Sequence, residues 1–318
     1  MKIGIVGDLH IAPVPEKRID DYFQTGLNKI EQIAQYCDKV IFTGDIFSVP
    51  KIDEKYVNPL IRHLDWCKTN YNCEFITAIG NHDVANELEE HLEQSSLGTL
   101  EAAKIMTVIK PGINNSFILK DKNLFYRFQT IPVKFKDAKE YLKEFSFDVN
   151  PNFINILIVH HLYETGMECF NYEDFQNKNI NMIFFGHDHK PMDGGRKIYT
   201  DFTVYRSGSL MRNIANDYNL ERSVYYYVLE DGKISCKAIN IQDAKSVFNT
   251  DAYNRTNYNE KKYIEVTNEQ IDNLIEHYKN NISIKNKFSI KDVLKEVGTP
   301  DNNIDYIGKQ YQKIGEIF

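Results

Sequence analysis

The chain has 318 residues, 42% hydrophobic and 26% charged, enough to bury a full core and longer than one ordinary domain by an appendage. Its formal net charge of -7 counts against a general nucleic-acid-binding surface, although local basic patches decide such contacts. No apolar run is long enough to span a bilayer, the strand-like text of residues 2–7 leaves no room for a signal peptide, and the five scattered cysteines never form a C-x-x-C pair. A reduced, cytoplasmic protein with no membrane contact is expected, its thiols buried as small apolar groups.

Taken in chain order, residues 2–7, 39–43 and 74–79 are short apolar runs. Each ends in a polar signature: Gly7-Asp-Leu-His10, Thr43-Gly-Asp45 and Gly80-Asn-His-Asp83. Between them, apolar residues at threes and fours (Ile30, Ile33, Ala34; Leu60, Ile61, Leu64) predict helices over 18–36 and 54–70. Strand–helix–strand alternation argues for an α/β fold with buried, partly parallel strands. A strand pair is expected over 116–119 and 124–128, then a charged surface helix over 136–145. The strand pattern returns at Phe153–Val159, followed by His160-His161, and at Asn181–Phe185, followed by Gly186-His-Asp-His189. From residue 199 to 241 the text is β-rich, with Asp231-Gly232 marking a hairpin turn between 223–230 and 233–239. Residues 243–262, rich in Asn, Asp and Lys, read as a linker. Residues 263–318 read as a small helical region.

Strand ends therefore finish repeatedly in metal-ligand residues, and His10, His82, His160, His161, His187 and His189 are six of the nine histidines. Ligands two apart at a strand end point to one face, so Asp8 with His10, and His187 with His189, can each converge. In an open α/β sheet, sites form outside the carboxyl ends of the strands. Each motif alone is weak: a Gly-Asp can be a turn, and a lone histidine can be a packed core residue. Jointly, in this order and each after an apolar run, they predict one metal site. Oxygen and nitrogen donors without thiolate suit Mn, Fe or Zn rather than a structural zinc knot.

The ordered set D-x-H, G-D, G-N-H-D, H, G-H-x-H resembles the calcineurin-like metallophosphoesterases over residues 1 to about 215. The resemblance implies an α/β fold, a β-sandwich flanked by helices, with residues 1–242 as the phosphoesterase (nuclease) domain and a small C-terminal appendage. It further implies Asp8, His10, Asp45 and His189 as ligands of one divalent cation. Asp45, Asn81, His160 and His187 then hold the other, with Asp45 bridging. His160 is preferred to His161 because it lies nearer the strand end. His82 matches the histidine that contacts the phosphate and assists the leaving oxygen, a catalytic role. Asp83 is expected either to orient His82, and so join the catalytic set, or to cap a helix starting near Val84. Two cations about 3.5–4 Å apart activate a water and neutralise the entering and leaving oxygens.

Gly44-Asp-Ile-Phe-Ser-Val-Pro50 and Gly80-Asn-His-Asp83 depart from the serine/threonine phosphatase pattern. They are more similar to the SbcD-type DNA-repair exonucleases, which include phage-encoded relatives. Tyr205-Arg-Ser-Gly-Ser-Leu-Met-Arg212 is similar to that branch's Gly-Ser-Leu-x-Arg stretch. The branch implies a pair of cations, most often Mn²⁺ with Fe, Zn or Mg as alternatives, and cleavage of DNA. It also implies a homodimer and a partner ATPase of the SbcC type with a long coiled coil. Arg206 and Arg212 are the candidate substrate-binding residues, because forked guanidinium donors suit phosphate. A stand-alone phosphodiesterase acting on nucleotides or other small phosphoesters is the competing expectation, which the acidic charge suits. In the appendage, Ile304, Ile307, Tyr311 and Ile314 form a helical stripe that either packs on its own domain or docks a partner.

Overall fold

The structure, a computed structural model, describes residues 1–13, 18–112, 114–164, 166, 168–211, 224–239 and 247. Arg212 and, apart from Val247, the expected linker and C-terminal helical region lie outside the described residues. Val247 itself is buried, and its carbonyl accepts from Ile19 N at 2.9 Å.

The first half alternates strictly: β1 (Ile3–Val6), α1 (Tyr22–Ala34), β2 (Lys39–Phe42), α2 (Glu54–Tyr71), β3 (Glu74–Thr77), α3 (Ser96–Ala102) and β4 (Met106–Val108). The second half runs β5 (Phe117–Asp121), β6 (Leu124–Thr130), α4 (Phe135–Glu144), β7 (Phe153–Val159), β8 (Leu162–Tyr163), β9 (Cys169–Phe170), β10 (Met182–Phe185), β11 (Arg196–Ile198) and β12 (Thr203–Tyr205). A hairpin of β13 (Val224–Glu230) and β14 (Lys233–Ile239) follows, turning at Asp231 and Gly232, both at positive φ.

Two six-stranded sheets result, ordered β14-β13-β1-β2-β3-β4 and β11-β12-β10-β7-β6-β5. In the first, β1 to β4 are parallel and the hairpin joins β1 antiparallel. In the second, β6, β7, β10 and β12 are parallel, with β5 and β11 antiparallel at the edges. The central strands β1, β2, β7 and β10 read as apolar runs because both of their faces are buried. Ile3, Ile5, Ile41 and Ile76 meet Tyr126, Phe128, Ile156 and Phe184 between the sheets. The alternate residues face outward: Val6, Val40 and Phe42 pack under Ile30, Ile33, Leu60 and Leu64 of α1 and α2. On the other side Leu157, Val159 and Ile183 pack under Ala138 and Leu142 of α4. This is the expected α/β class, a sandwich of two mixed sheets with helices outside.

Elements differ from expectation where a cap or a neighbour decides. The first helix starts at Tyr22 rather than residue 18, because Asp21 caps it by accepting from Gln24 N at 3.0 Å while Arg18 pairs with Asp20 at 2.6 Å. Strands β4, β8, β9 and β11 are two or three residues long and leave no periodicity to read. They exist because a neighbouring strand offers its edge.

Candidate metal centre

Every motif sits just past the carboxyl end of a parallel strand. Asp8 and His10 follow β1, Asp45 follows β2, Asn81 and His82 follow β3, His160 follows β7, and His187 and His189 follow β10. Three motifs come from one sheet and two from the other, so the site bridges the ends of both, which the expected sandwich allows and a single open sheet would not.

The ligand atoms form two groups, Asp8 with His10 and His189, and Asp45 with His160 and His187, each with its atoms within 4.8 Å of one another. His10 Nε2 and His189 Nε2 stand 2.9 Å apart, with Asp8 Oδ2 4.0 Å from the latter. Asp45 Oδ2 lies 3.1 Å from His160 Nε2 and 3.7 Å from His10 Nε2, between the two groups. Asn81 Oδ1 joins the second group, 3.1 Å from His160 Nε2 and 3.0 Å from His187 Nδ1. His161 does not enter: its Nε2 bonds Pro132 O at 2.8 Å, and the ring packs on Phe135 and Phe170.

The backbone is strained to make this convergence. His10 (φ 50°), Asp45 (φ 50°) and His187 (φ 73°) all occupy the left-handed region, at a cost of order 1 kcal/mol or more each. They are held there by Leu9 N and His10 N, which both donate to Asp45 O at 2.9 Å, and by His187 N, which donates to Asp8 Oδ2 at 3.0 Å. The motif glycines give the room. A Cβ at Gly80 would stand 2.1 Å from Asp45 Oδ1, and one at Gly186 would stand 2.6 Å from Thr43 Oγ1 and 2.9 Å from Asp8 Oδ1.

Tautomers follow from the carbonyls that flank the rings. His160 Nδ1 donates to Thr43 O at 3.0 Å, which turns Nε2 toward Asp45 and Asn81. Burial pulls His160 down, but the carboxylates of Asp45 and Asp8 outweigh it and lift the imidazole to about 10. Burial lowers His10 to about 3, and burial with the nearby His160 charge lowers His187 to about 4. These two present neutral nitrogens. Burial raises the Asp8 carboxyl, and Asp45 adds to it against the pull of His160. Burial would raise Asp45 too, but His160 overrides it and holds Asp45 well below the usual range.

The donor set fits two divalent cations. Each group gathers two imidazoles and a carboxylate with their ligand atoms within 4.8 Å of one another, Asn81 Oδ1 adds a further oxygen to the second, and the Asp45 carboxylate lies between the two. Nitrogen and oxygen donors without sulfur match borderline or hard divalent ions.

His82 differs from the ligands in being exposed. Its Nδ1 donates to Ser48 O at 2.8 Å, its ring meets His10 edge-on at 5.2 Å, and its backbone N donates to Asp45 Oδ1 at 2.9 Å. Among the described residues, Nε2 has no hydrogen-bond partner. Asp83 plays neither expected part. It is fully buried, with Oδ1 accepting from Phe47 N at 3.1 Å and Oδ2 from Gly80 N at 3.0 Å. Val84 precedes a short 3₁₀ turn that has no side-chain cap. Asp83 clips the Asp45 loop to the Asn81 loop, and Ser48 orients His82. Burial and the Asp45 charge raise the Asp83 carboxyl to about 7.

Arg206, expected to contact substrate phosphate, is only 8% exposed and pairs with Asp188 at 2.8 Å. The pair places Arg206 against the loop carrying His187 and His189, with its Nε and Nη1 buried rather than presented to solvent. Asp188, inside the Gly-His-Asp-His text, was the legible signal for that partner. Thr43 and Ser48 act through main-chain carbonyls, which no side-chain motif can reveal. Lys29, 3% exposed on the apolar face of α1, donates to Leu210 O at 2.7 Å. A lysine next to Ile30 in the helical stripe was its signal.

The model of the calcineurin-like phosphoesterase family matches residues 1–191. No curated protein matches the chain. Among solved structures, a dimetal phosphatase from Danio rerio is 10% identical, with 78% of this chain and 98% of that one covered at a TM-score of 0.46. Purple acid phosphatase PPD1 from yellow lupin seeds is 11% identical, with 76% of this chain and 52% of that one covered at a TM-score of 0.44. A hypothetical protein from Thermus thermophilus is 12% identical, with 75% and 99% covered at a TM-score of 0.40. The family match takes in more than half of the chain and ends just past His189, so the chain belongs to the calcineurin-like phosphoesterase family.

Proposed function

We propose that this metallophosphoesterase cleaves DNA phosphodiesters as the nuclease subunit of an SbcCD-like repair or recombination complex, with a long coiled-coil ATPase of the SbcC type as its partner. The observation that carries the reading is the Gly-Ser-Leu stretch after Arg206, whose text is similar to the SbcD branch and whose backbone is bonded to Asp8 and His189. Gly44-Asp-Ile-Phe with Pro50 supports it. So does the exposed His82 beside ligands that are buried or half-buried, because an open rim admits a polymer strand. Manganese is the proposed metal, and a homodimer the proposed assembly. Arg212 is retained as a proposed phosphate contact.

When bound, the cation pair supplies an activated water and neutralises charge on the phosphate. Asp45 sets the spacing of the two groups. With Nδ1 engaged by Ser48 O, His82 keeps Nε2 for proton transfer to the departing oxygen.

A second reading, hydrolysis of nucleotides or other small phosphoesters by the chain alone, is favoured by the net charge of -7. Manganese-dependent turnover of single- and double-stranded DNA, measured beside bis-p-nitrophenyl phosphate, separates the two. Cleavage of the small ester alone removes the nuclease reading. Co-purification with a coiled-coil ATPase tests the partner.

A further inference from the structure

One short segment, residues 206–211, joins the first ligand motif to the last. Leu210 N donates to Asp8 O at 2.8 Å, and Ser209 N donates to His189 O at 3.1 Å. Asp8 and His189 belong to the same ligand group. Among the described residues, the segment's hydrogen bonds reach Asp45, His160 and His187 only indirectly, through Asp8, whose carboxylate accepts from His187 N at 3.0 Å. The approach is close on both sides. A Cβ at Gly7 would stand 1.9 Å from Gly208 O, and a Cβ at Gly208, itself at φ +75°, would stand 2.6 Å from His189 O.

What orients the segment is a buried cation. Lys29 Nζ donates to Leu210 O at 2.7 Å, while Lys29 as a whole is 3% exposed. An ammonium in such a place is costly unless strong acceptors take its hydrogens, and the Leu210 carbonyl is one of those acceptors. The Leu210 carbonyl answers Lys29, and Ser209 N and Leu210 N answer the ligand backbones. The charge thereby holds the segment in the orientation that sets how far Asp8 stands from His189.

The geometry points to Lys29 as a positioning residue. Acting through Ser209 and Leu210, it sets the Asp8–His189 spacing and so, first and most strongly, the divalent-cation affinity of the Asp8/His10/His189 group, reaching the Asp45/His160/His187 group only at second hand through the hydrogen bond from His187 N to the Asp8 carboxylate. The inference rests on the two-cation reading of the site.

Calorimetric titration of the metal-free, full-length protein with manganese chloride tests it. His10→Ala and His187→Ala assign each binding event to its group. Lys29→Met, which keeps the stem and removes the charge, is expected to weaken the event lost in His10→Ala by about 10–100-fold, with the event lost in His187→Ala weakened several-fold less. Gly208→Ala presses on the His189 carbonyl directly, weakens the same event, and carries the test should Lys29→Met not fold. Equal weakening of both events, or of neither, overturns the positioning role. A wild type that binds fewer than two ions overturns the two-cation reading itself, and this inference with it.

Discussion

Replacing Gly80 by alanine adds one methyl group at the point where the loop after β3 crosses the loop after β2. The new Cβ would lie 2.1 Å from Asp45 Oδ1 and 2.3 Å from Asp45 N, whereas real Cβ contacts essentially never fall under 3.0 Å. Something must move by about 1 Å, and a displacement of that size in a catalytic constellation costs about 100-fold in rate. One of the obstructing atoms is backbone, so no rotamer change relieves the clash. Overpacking adds about 1–3 kcal/mol of destabilisation. Gly26→Ala is the matched control: its Cβ would meet only side-chain atoms at 3.4 Å and beyond, within α1. It is expected to stabilise by up to about 1 kcal/mol with kcat unchanged. Turnover of bis-p-nitrophenyl phosphate at saturating manganese, with urea unfolding for stability, reads both. A Gly80→Ala enzyme within about threefold of wild type would refute the claim that Gly80 exists to let Asp45 approach.

Other outcomes follow from the site's geometry. His82→Ala is expected to keep both cations and lose about 10²–10⁴-fold in turnover, while Asp45→Ala loses both cations; elemental analysis of the desalted variants separates them. Asp45 and Asp8 hold His160 protonated up to about 10 in the metal-free protein, so metal binding there must displace a proton. Apparent manganese affinity of that group should therefore fall by about tenfold per pH unit of acidification, read by titration at two pH values, and a flat profile would contradict it. For the metal-free protein the sign runs the other way. The folded imidazole is raised above its unfolded value of 6.5, so its contribution to stability is full below pH 6.5 and lost as pH rises toward about 10. Burial pushes the Cys37, Cys67 and Cys73 thiols up to about 12, whereas Cys236 is exposed. A thiol reagent should modify Cys236 in the native protein and reach the three buried cysteines only on unfolding. Native labelling of Cys67 would overturn that packing.

The candidate ligands were legible in the text because each one combines a local signal with a chemical one. An apolar run of about five residues predicts a strand, and Asp8, Asp45, Asn81, His160 and His187 stand at the ends of such runs, where no core residue needs a carboxylate or an imidazole. Spacing alone aligned Asp8 with His10 and His187 with His189. The α/β class was readable for the same reason, since periodicity is local. The family match later covered the same stretch.

Other features depend on partners far apart in the chain. That the rim is shared between two sheets depends on which strand edges pair, and β1, near the start of the chain, finds β13 beyond residue 223. Asp83 reads identically in sequence whether it orients a histidine, caps a helix or clips two loops; only the positions of Phe47 N and Gly80 N select the last. Arg206 looks like a phosphate contact until Asp188 is brought within 2.8 Å of it. Composition, period and donor chemistry are properties of single residues and their neighbours, so the sequence by itself determined the fold class and the ligand candidates. Packing across the sandwich decided what each charged side chain faces, because a charge's role is defined by the groups that compensate it.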